Sequence, residues 1–229
     1  MEPRLPLSST SLSKFPRPSS KSLYSPTPQT NECDCRLTYR HHEIRSNPTS
    51  PLDKDTYHAI SPKGHFPVVT DIHPNGFKVS LDQTGAIAQY LVNEYDQEDH
   101  TISFPRRSAE DIEAMNWFFF GATRVASSHD EAVHYKKDAP ENTYSVDRFR
   151  SRTTGLFFAL EQRLKETGDY LVGHKFSIAD IAQVPFVVAA EEAGISIEIF
   201  PALTAWYNRI MSRPGVRKGL LVAGIEFSA

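Results

Sequence analysis

The sequence predicts an α/β domain followed by an all-helical domain, and three observations support this prediction. Two short runs with strand-like composition, at residues 66–69 and 77–81, flank a Pro-Asn-Gly turn. A polar cap and an amphipathic pattern then predict a helix at residues 83–95. Beyond a charged stretch, the pattern from residue 108 onward is helical. We therefore expect strand, turn, strand and helix, and after them a helical domain.

The chain is expected to divide into four segments. Residues 1–21 are rich in serine and proline and carry four basic side chains against Glu2 alone. Such a segment cannot bury enough apolar surface to offset the entropy of ordering, so a disordered tail is predicted. An organelle transit peptide is the alternative, but the prolines oppose the amphipathic helix that it needs. Residues 22–95 form the predicted α/β domain, residues 96–107 a charged linker, and residues 108–229 the helical domain.

Composition argues against nucleic acid and membrane partners. A net charge of −3 and a pI of about 6.3 give no electrostatic reason to expect nucleic acid or an anionic membrane. No apolar run approaches the roughly 20 residues that cross a bilayer. Two cysteines are too few for a disulfide scaffold and fit a reducing compartment, so a cytoplasmic location is expected.

The two cysteines are not expected to bind a metal. Cys33 and Cys35 are separated by one residue, and His41 and His42 lie close by in sequence. Structural zinc sites usually pair cysteines at a wider spacing, with a second pair of ligands at some distance. The spacing is also not the C-x-x-C of a redox dithiol. We therefore predict no metal site and treat both cysteines as incidental.

Two features next to the predicted strands indicate a ligand site. The bond before Pro67 joins a turn-rich segment to a strand, where a cis peptide can be selected. Gln83 and Thr84 stand at a helix start, where free backbone N–H groups, an amide and a hydroxyl could together hold a carboxylate. Thr84 could equally be a simple N-cap, so both interpretations stay open.

These same residues resemble motifs of the glutathione S-transferase family. SPKGHFPVV at residues 61–69 is similar to its Asn-Pro-x-Gly-x-(Ile/Val)-Pro motif, and QTGAI at residues 83–87 to its (Glu/Gln)-Ser-Gly-Ala-Ile motif. The resemblance implies a thioredoxin-like N-terminal domain with a cis proline. It also implies glutathione as co-substrate and a homodimer. The residues implied to bind glutathione are His65, Phe66, Pro67, Gln83 and Thr84.

A second stretch, residues 134–164, extends the resemblance to one branch of that family. Its His-aromatic-x-x-x-Ala-Pro-Glu and Tyr-x-x-(Asp/Glu)-Arg-aromatic patterns resemble those of the nitrogen-regulator-like, yeast prion-type branch, found in fungi and bacteria. In the family, the first long helix of the C-terminal domain also lines the pocket for the electrophilic co-substrate. The pocket residues proposed on this basis are Phe118, Arg124 and Tyr135.

The segment that would carry the thiol-activating residue matches the family poorly. The polar stretch at residues 32–47 stands where a long amphipathic helix is expected, so the first βαβ unit is incomplete. Real divergence and an error in the gene model both explain this. A hydroxyl or amide near a helix N-terminus lowers the pKa of a bound thiol. Ser25, Thr27 and Asn31 are the catalytic candidates, although turn residues have the same chemistry.

Caps and apolar faces define the predicted helices of the C-terminal domain. Ser108 with Asp111 is expected to cap a helix with a broad apolar face, suited to a core or a subunit interface. Ser177 and Asp180 are expected to form a capping box, which assigns Asp180 to folding and not to catalysis. A later helix begins at Pro201. The apolar residues of the first helix are Ile112, Met115 and Phe119, with Trp117 and Phe118 on its flank. The long helix is predicted to pack through an apolar stripe of Phe149, Leu156, Phe157, Leu160 and Leu164.

The expected activity is transfer of glutathione to an electrophilic small molecule, serving detoxification or secondary metabolism. A glutathione-dependent disulfide or peroxide reductase is the related alternative in the same branch. A non-enzymatic regulator that keeps the fold and has lost the active site is the alternative from another class, and the poorly matched first unit favours it.

Overall fold

A computed structural model of the protein describes residues 67–73 and 75–225 of the 229. The predicted tail, the first βαβ unit and both cysteines lie outside the described residues. The predicted order of a small α/β part and then a helical part is confirmed: a two-stranded sheet is followed by a mostly helical region.

The described part begins with a β-hairpin. Strands β1 (Val69–Ile72) and β2 (Lys78–Leu81) pair antiparallel, with Val69 opposite Leu81 and Ile72 opposite Lys78. The predicted bounds of the first strand, residues 66–69, are wrong, because β1 begins at Val69. Pro67 and Val68 precede β1 and belong to no strand. The predicted turn is present: Gly76 has φ +86°, and its N–H donates to the carbonyl of His73 at 2.7 Å.

Helix α1 (Thr84–Tyr95) is joined to this hairpin by hydrogen bonds between polar side chains. Its Ile87 and Val92 are buried. The hydroxyl of Tyr90 donates to Oδ2 of Asp71 in β1 at 2.8 Å, and the hydroxyl of Tyr95 donates to the same oxygen. These contacts fix the direction of α1 and therefore the position of its N-terminus.

The predicted linker, residues 96–107, makes hydrogen bonds within itself and with the helical region. The buried Asp96 carboxylate accepts hydrogen bonds from the N–H groups of Thr101 and Ile102 at 2.7 and 3.0 Å, and from Oγ of Ser103 at 2.6 Å. Lys175 donates to the carbonyls of His100 and Ser103. The segment is thus held to the helical region, although it contains no helix or strand.

The remaining elements are helical, as predicted. Helix α2 leads through a π-helical turn into α3, and α4 is the longest helix of the described residues. Their bounds are α2 Ala109–Phe119, the π-helical turn Phe120–Val125, α3 Ala126–Asp138, α4 Thr143–Thr167, α5 Ile178–Ile181, α6 Val184–Val188, 3-10 turns Ala190–Ala193 and Ile197–Ile199, α7 Pro201–Met211 and α8 Pro214–Val222.

The core lies around α4 and α7. The predicted stripe of α4 is confirmed, since Phe157, Leu160 and Leu164 are buried and Phe149 and Leu156 pack against them partly buried. Helix α7 contributes Leu203, Trp206 and Ile210 from the other side.

The broad apolar face of α2 is only partly buried in the core. Ile112 is 66% exposed and Phe119 is 39% exposed, whereas the buried positions are Ala114 and Phe118. The apolar residues of α2 cover so wide an arc that spacing alone does not identify the buried side. The core lies on the Phe118 side, and the Ile112 side faces outward.

Both predicted caps are confirmed. Oγ of Ser108 accepts the N–H of Asp111 at 3.1 Å at the start of α2. At the start of α5, the Asp180 carboxylate accepts the N–H of Ser177 at 3.0 Å, and Oγ of Ser177 accepts the N–H of Ala179 at 3.3 Å, in a capping box. Asp180 therefore has the structural role that its spacing predicts.

Candidate functional site

The predicted ligand-binding pair lies at the N-terminus of α1. Gln83 has extended backbone angles of φ −114° and ψ 124° and is the N-cap residue, while Thr84 is the first residue of the helix. Of the two interpretations left open, the one in which Thr84 is the N-cap does not hold, because Gln83 is the N-cap residue. Both residues are exposed, and the Gln83 side chain makes no capping hydrogen bond. The first backbone N–H groups of this helix therefore have no hydrogen bond from an N-cap side chain.

Contacts made by the C-terminal half of α1 determine where its N-terminus lies. Hydrogen bonds from Tyr95 and then Tyr90 hold the pKa of the Asp71 carboxyl below its usual range, against the opposing effect of burial. Burial and the same carboxylate raise the pKa of the Tyr90 hydroxyl, so it stays protonated as a donor. Nε2 of His73 lies 3.0 Å from Oε2 of Glu94. These groups hold α1 on the hairpin without using its first turn.

Helix α2 approaches α1 closely near that first turn. A Cβ placed on Gly85 would lie 2.8 Å from Cε1 of Phe119, which is closer than such atoms come in proteins. One turn further along, Nε2 of Gln89 donates to Sδ of Met115 at 3.3 Å. Residues 85 and 89 thus meet residues 119 and 115, so the two helices run antiparallel and Phe119 lies beside the N-terminal turn of α1.

Five of the predicted site residues lie outside the described residues: Ser25, Thr27, Asn31, His65 and Phe66. Pro67 is exposed and precedes β1 without belonging to a strand. The Phe66–Pro67 bond, predicted to be cis, includes a residue outside the described part. The structure therefore gives positions for Pro67, Gln83 and Thr84 among the predicted glutathione-binding residues.

The three predicted pocket residues have different surroundings. Phe118 is 4% exposed, in the core, and its ring meets Phe119 edge-on with centroids 5.5 Å apart. Arg124 is exposed in the π-helical turn. Tyr135 is half-buried in α3 and stacks on Phe149 with centroids 5.3 Å apart. Phe118 thus contacts Phe119, which lies beside α1. The stacking of Tyr135 on Phe149 instead joins α3 to α4.

Sequence reasoning missed a buried amide that accompanies the π-helical turn. Nε2 of Gln183 donates to the carbonyl of Trp117 at 2.8 Å and to that of Ala179 at 3.2 Å. A Cβ on Gly121 would lie 2.5 Å from this nitrogen, so glycine leaves the space that the amide occupies. A glycine inside an otherwise helical pattern is the signal that could have indicated such a close approach.

Sequence reasoning also missed Phe119 as a neighbour of the site. It appeared only as one apolar position of α2. The glycine at position 85, directly after the Gln83–Thr84 pair, was the available signal, because glycine often marks a close approach between backbone and side chain.

No group of three or more His, Cys, Asp or Glu side chains is arranged to hold a metal ion within residues 67–73 and 75–225. In the same part of the chain, no helix has the length and apolar character to cross a membrane. At the α1 N-terminus, Gln83 has an amide side chain and Thr84 a hydroxyl.

Comparisons with known proteins give one matching family model and several similar proteins. A model of the family described as glutathione S-transferase, C-terminal domain, matches residues 122–214. The glutathione S-transferase-like protein tpcF of Aspergillus fumigatus is 35% identical over 192 residues, covering 78% of this chain and 84% of that protein. The disulfide-bond oxidoreductase YfcG of Escherichia coli is 31% identical, covering 72% of this chain and 75% of that protein.

A similar fold has been solved with a glutathione derivative bound. The structure of Ure2p, a yeast prion protein, in complex with S-hexylglutathione has a TM-score of 0.66 at 26% identity. The match covers 73% of this chain and 79% of that one. These relatives come from fungi and a bacterium, as the resemblance of residues 134–164 predicts.

Proposed function

The chain belongs to the glutathione S-transferase family, and from that membership we propose that it binds glutathione and transfers it to an electrophilic small molecule. Glutathione binds with its γ-glutamyl end at the N-terminus of α1. The residues proposed to hold it are His65, Phe66, Pro67, Gln83 and Thr84.

One observation supports this proposal most directly. Gln83 and Thr84 are exposed at a helix end where the Gln83 side chain makes no capping hydrogen bond. The N-terminus of a helix carries a partial positive charge and outward N–H donors, which together favour a carboxylate. The γ-glutamyl part of glutathione offers one, and the Thr84 hydroxyl adds a further donor.

In the proposed reaction, the glutathione thiol loses its proton and the thiolate sulfur attacks the electrophilic carbon. A carbon–sulfur bond forms while, with an aryl halide, the halide leaves with its bonding electrons. The protein contributes orientation and a lowered thiol pKa, because the thiolate is the nucleophile. Ser25, Thr27 and Asn31 remain the candidates for the group that donates to the sulfur.

The proposed pocket for the electrophile uses Arg124 and Tyr135, with Phe118 behind it. Arg124 is exposed and cationic, which suits a substrate with an acidic or electron-rich group. Because Phe118 is almost fully buried, its contribution is to support the ring of Phe119.

Calorimetry with glutathione tests the binding proposal, and turnover assays then test the reaction. We expect saturable binding and conjugation of an aryl halide such as 1-chloro-2,4-dinitrobenzene. Absence of binding would refute the site at α1 and every glutathione-dependent activity with it.

A disulfide reductase is the second candidate, favoured by the similarity to the disulfide-bond oxidoreductase YfcG. In that case hydroxyethyl disulfide is reduced by glutathione, while the aryl halide is left unchanged. If glutathione binds and neither substrate is turned over, the non-enzymatic regulator is supported, consistent with the likeness to Ure2p.

A homodimer in the cytoplasm is proposed as the assembled form. Family membership supports the dimer, since most soluble homo-oligomers are symmetric dimers. Light scattering should give twice the mass of one chain, and a monomer at micromolar concentration would contradict the proposal.

A further inference from the structure

We propose that Phe119 determines specificity at the glutathione site, by forming the wall against which the γ-glutamyl part of the ligand lies. The proposal rests on the function proposed above and adds a residue that the sequence motifs do not include. It concerns selection for the γ-glutamyl group, and it does not concern activation of the thiol.

The first step is the contact between Phe119 and Gly85. A Cβ on Gly85 would meet Cε1 and Cζ of Phe119 at 2.8 and 3.1 Å, so the ring covers the backbone of the residue after Thr84. With a real side chain at position 85, the ring would have to move away. The glycine therefore permits an aromatic side chain of α2 to reach the first turn of α1.

The second step is that the ring is held in place. Phe118 meets it edge-on at 5.5 Å with an interplanar angle of 86°, and Phe118 itself is buried in the core. The bond between Gln89 and Met115 fixes the two helices one turn away. Aromatic pairs in this arrangement contribute beyond the area that they bury.

The third step is that the ring is still available to a ligand. Phe119 is 39% exposed, unlike its neighbour Phe118. An apolar wall beside the outward N–H groups of α1 lowers the local dielectric and strengthens their hydrogen bonds to a carboxylate. The two methylene groups of a γ-glutamyl chain can pack on the ring while the carboxylate reaches those N–H groups.

These steps predict a specific loss on truncation of the ring. In a Phe119→Ala variant we expect glutathione to bind about 10-fold more weakly, the effect of losing apolar contact in a pocket. Cysteinylglycine, which lacks the γ-glutamyl group, should bind with unchanged affinity. The dissociation constant for cysteinylglycine divided by that for glutathione, both measured by calorimetry, should therefore fall by about 10-fold.

Ile112→Ala is the matched control, because Ile112 is an exposed apolar residue of the same helix. It should leave the ratio unchanged. A Gly85→Ala variant perturbs the contact from the other side and should lower the affinity for glutathione by displacing the ring. In the Phe119→Ala background, Gly85→Ala should have little further effect, since the clash is gone.

The outcomes separate this inference from the proposed function. If the unaltered protein binds no glutathione, the proposed function fails and the inference falls with it. Suppose instead that the unaltered protein binds glutathione, and that Phe119→Ala and Gly85→Ala both have its ratio of dissociation constants for cysteinylglycine and glutathione. The glutathione site at α1 is then supported, and the role of Phe119 is refuted. Should Phe119→Ala fail to fold, Gly85→Ala alone decides by the same ratio.

Discussion

The indole N–H of Trp206 donates a hydrogen bond of 2.8 Å to Oδ1 of Asp180, and both side chains are buried. The same carboxylate accepts the N–H of Leu171 at 3.1 Å and that of Ser177 at 3.0 Å. Asp180 therefore caps α5 and also joins it to α7 and to the loop before α5. Its role in the fold is wider than a capping box.

Replacement of Asp180 with alanine should destabilise the fold far more than loss of a cap. Three buried donors would lose their acceptor, which predicts a loss of about 3 kcal/mol or more in the free energy of unfolding. Ser177→Ala removes only the hydroxyl of the cap and should cost about 1 kcal/mol. Urea unfolding of both variants measures the difference, and equal losses would show that the bonds to Trp206 and Leu171 contribute nothing.

The Asp180 cluster illustrates what local sequence can and cannot predict. The capping box depends on residues three apart, so spacing alone predicted Ser177 and Asp180. The bond to Trp206 joins residues 26 apart in sequence, and no periodic pattern carries that information. In the same way, the spacing in α4 predicted its buried stripe, while the arc of apolar residues in α2 left the buried side undecided.

The candidate site shows the same difference between local features, which the sequence predicts, and long-range contacts, which it does not. Gln83 and Thr84 are adjacent at a helix start, so their polar character and position were readable from sequence. Phe119 reaches Gly85 only because α2 folds back along α1, a contact between residues 34 apart by their numbers. The sequence therefore predicted the polar groups at the start of α1 but not the aromatic ring that lies beside them.

Gly121 and Gly155 should respond oppositely to the same substitution. Gly121→Ala places a Cβ 2.5 Å from Nε2 of Gln183, whose amide is buried and bonded to Trp117 and Ala179. We expect destabilisation by about 2 kcal/mol, because the amide must move and leave those carbonyls. Thermal unfolding measures this change.

Gly155→Ala provides the control. Gly155 lies in α4 with nothing within 4 Å of an added Cβ. Alanine should stabilise the helix there by roughly 0.5 to 1 kcal/mol, since it lowers the entropy of the unfolded chain. If Gly121→Ala were equally stabilising, the contact with Gln183 would not constrain the π-helical turn.

The buried Asp96 predicts a pH dependence of stability. Burial alone raises the pKa of this carboxyl, but hydrogen bonds from Ser103, Ile102 and Thr101 outweigh it and hold the pKa below its usual range. A carboxyl with a lowered pKa in the folded state stabilises the fold fully above its unfolded pKa of 3.8. That contribution is lost as the pH falls through the folded pKa.

An Asp96→Asn variant should therefore be less stable than the unaltered protein at neutral pH. Its stability should fall less steeply below about pH 4, because it lacks the titrating group. Glu98→Gln, an exposed change in the same segment, should leave the stability at neutral pH unchanged. Parallel profiles for the unaltered protein and Asp96→Asn would contradict the assignment.

Thr84→Ala should separate glutathione binding from folding. Thr84 is the first residue of α1 and not its cap, so alanine removes no capping bond and the stability should change by less than about 0.5 kcal/mol. Loss of a hydroxyl that donates to the ligand carboxylate should weaken glutathione binding about 10-fold. Thr143, the exposed first residue of α4, provides the matched control, and Thr143→Ala should leave the affinity unchanged. Equal affinities for Thr84→Ala and Thr143→Ala in calorimetry would remove Thr84 from the site, whereas a loss of stability in Thr84→Ala would show that it acts in folding.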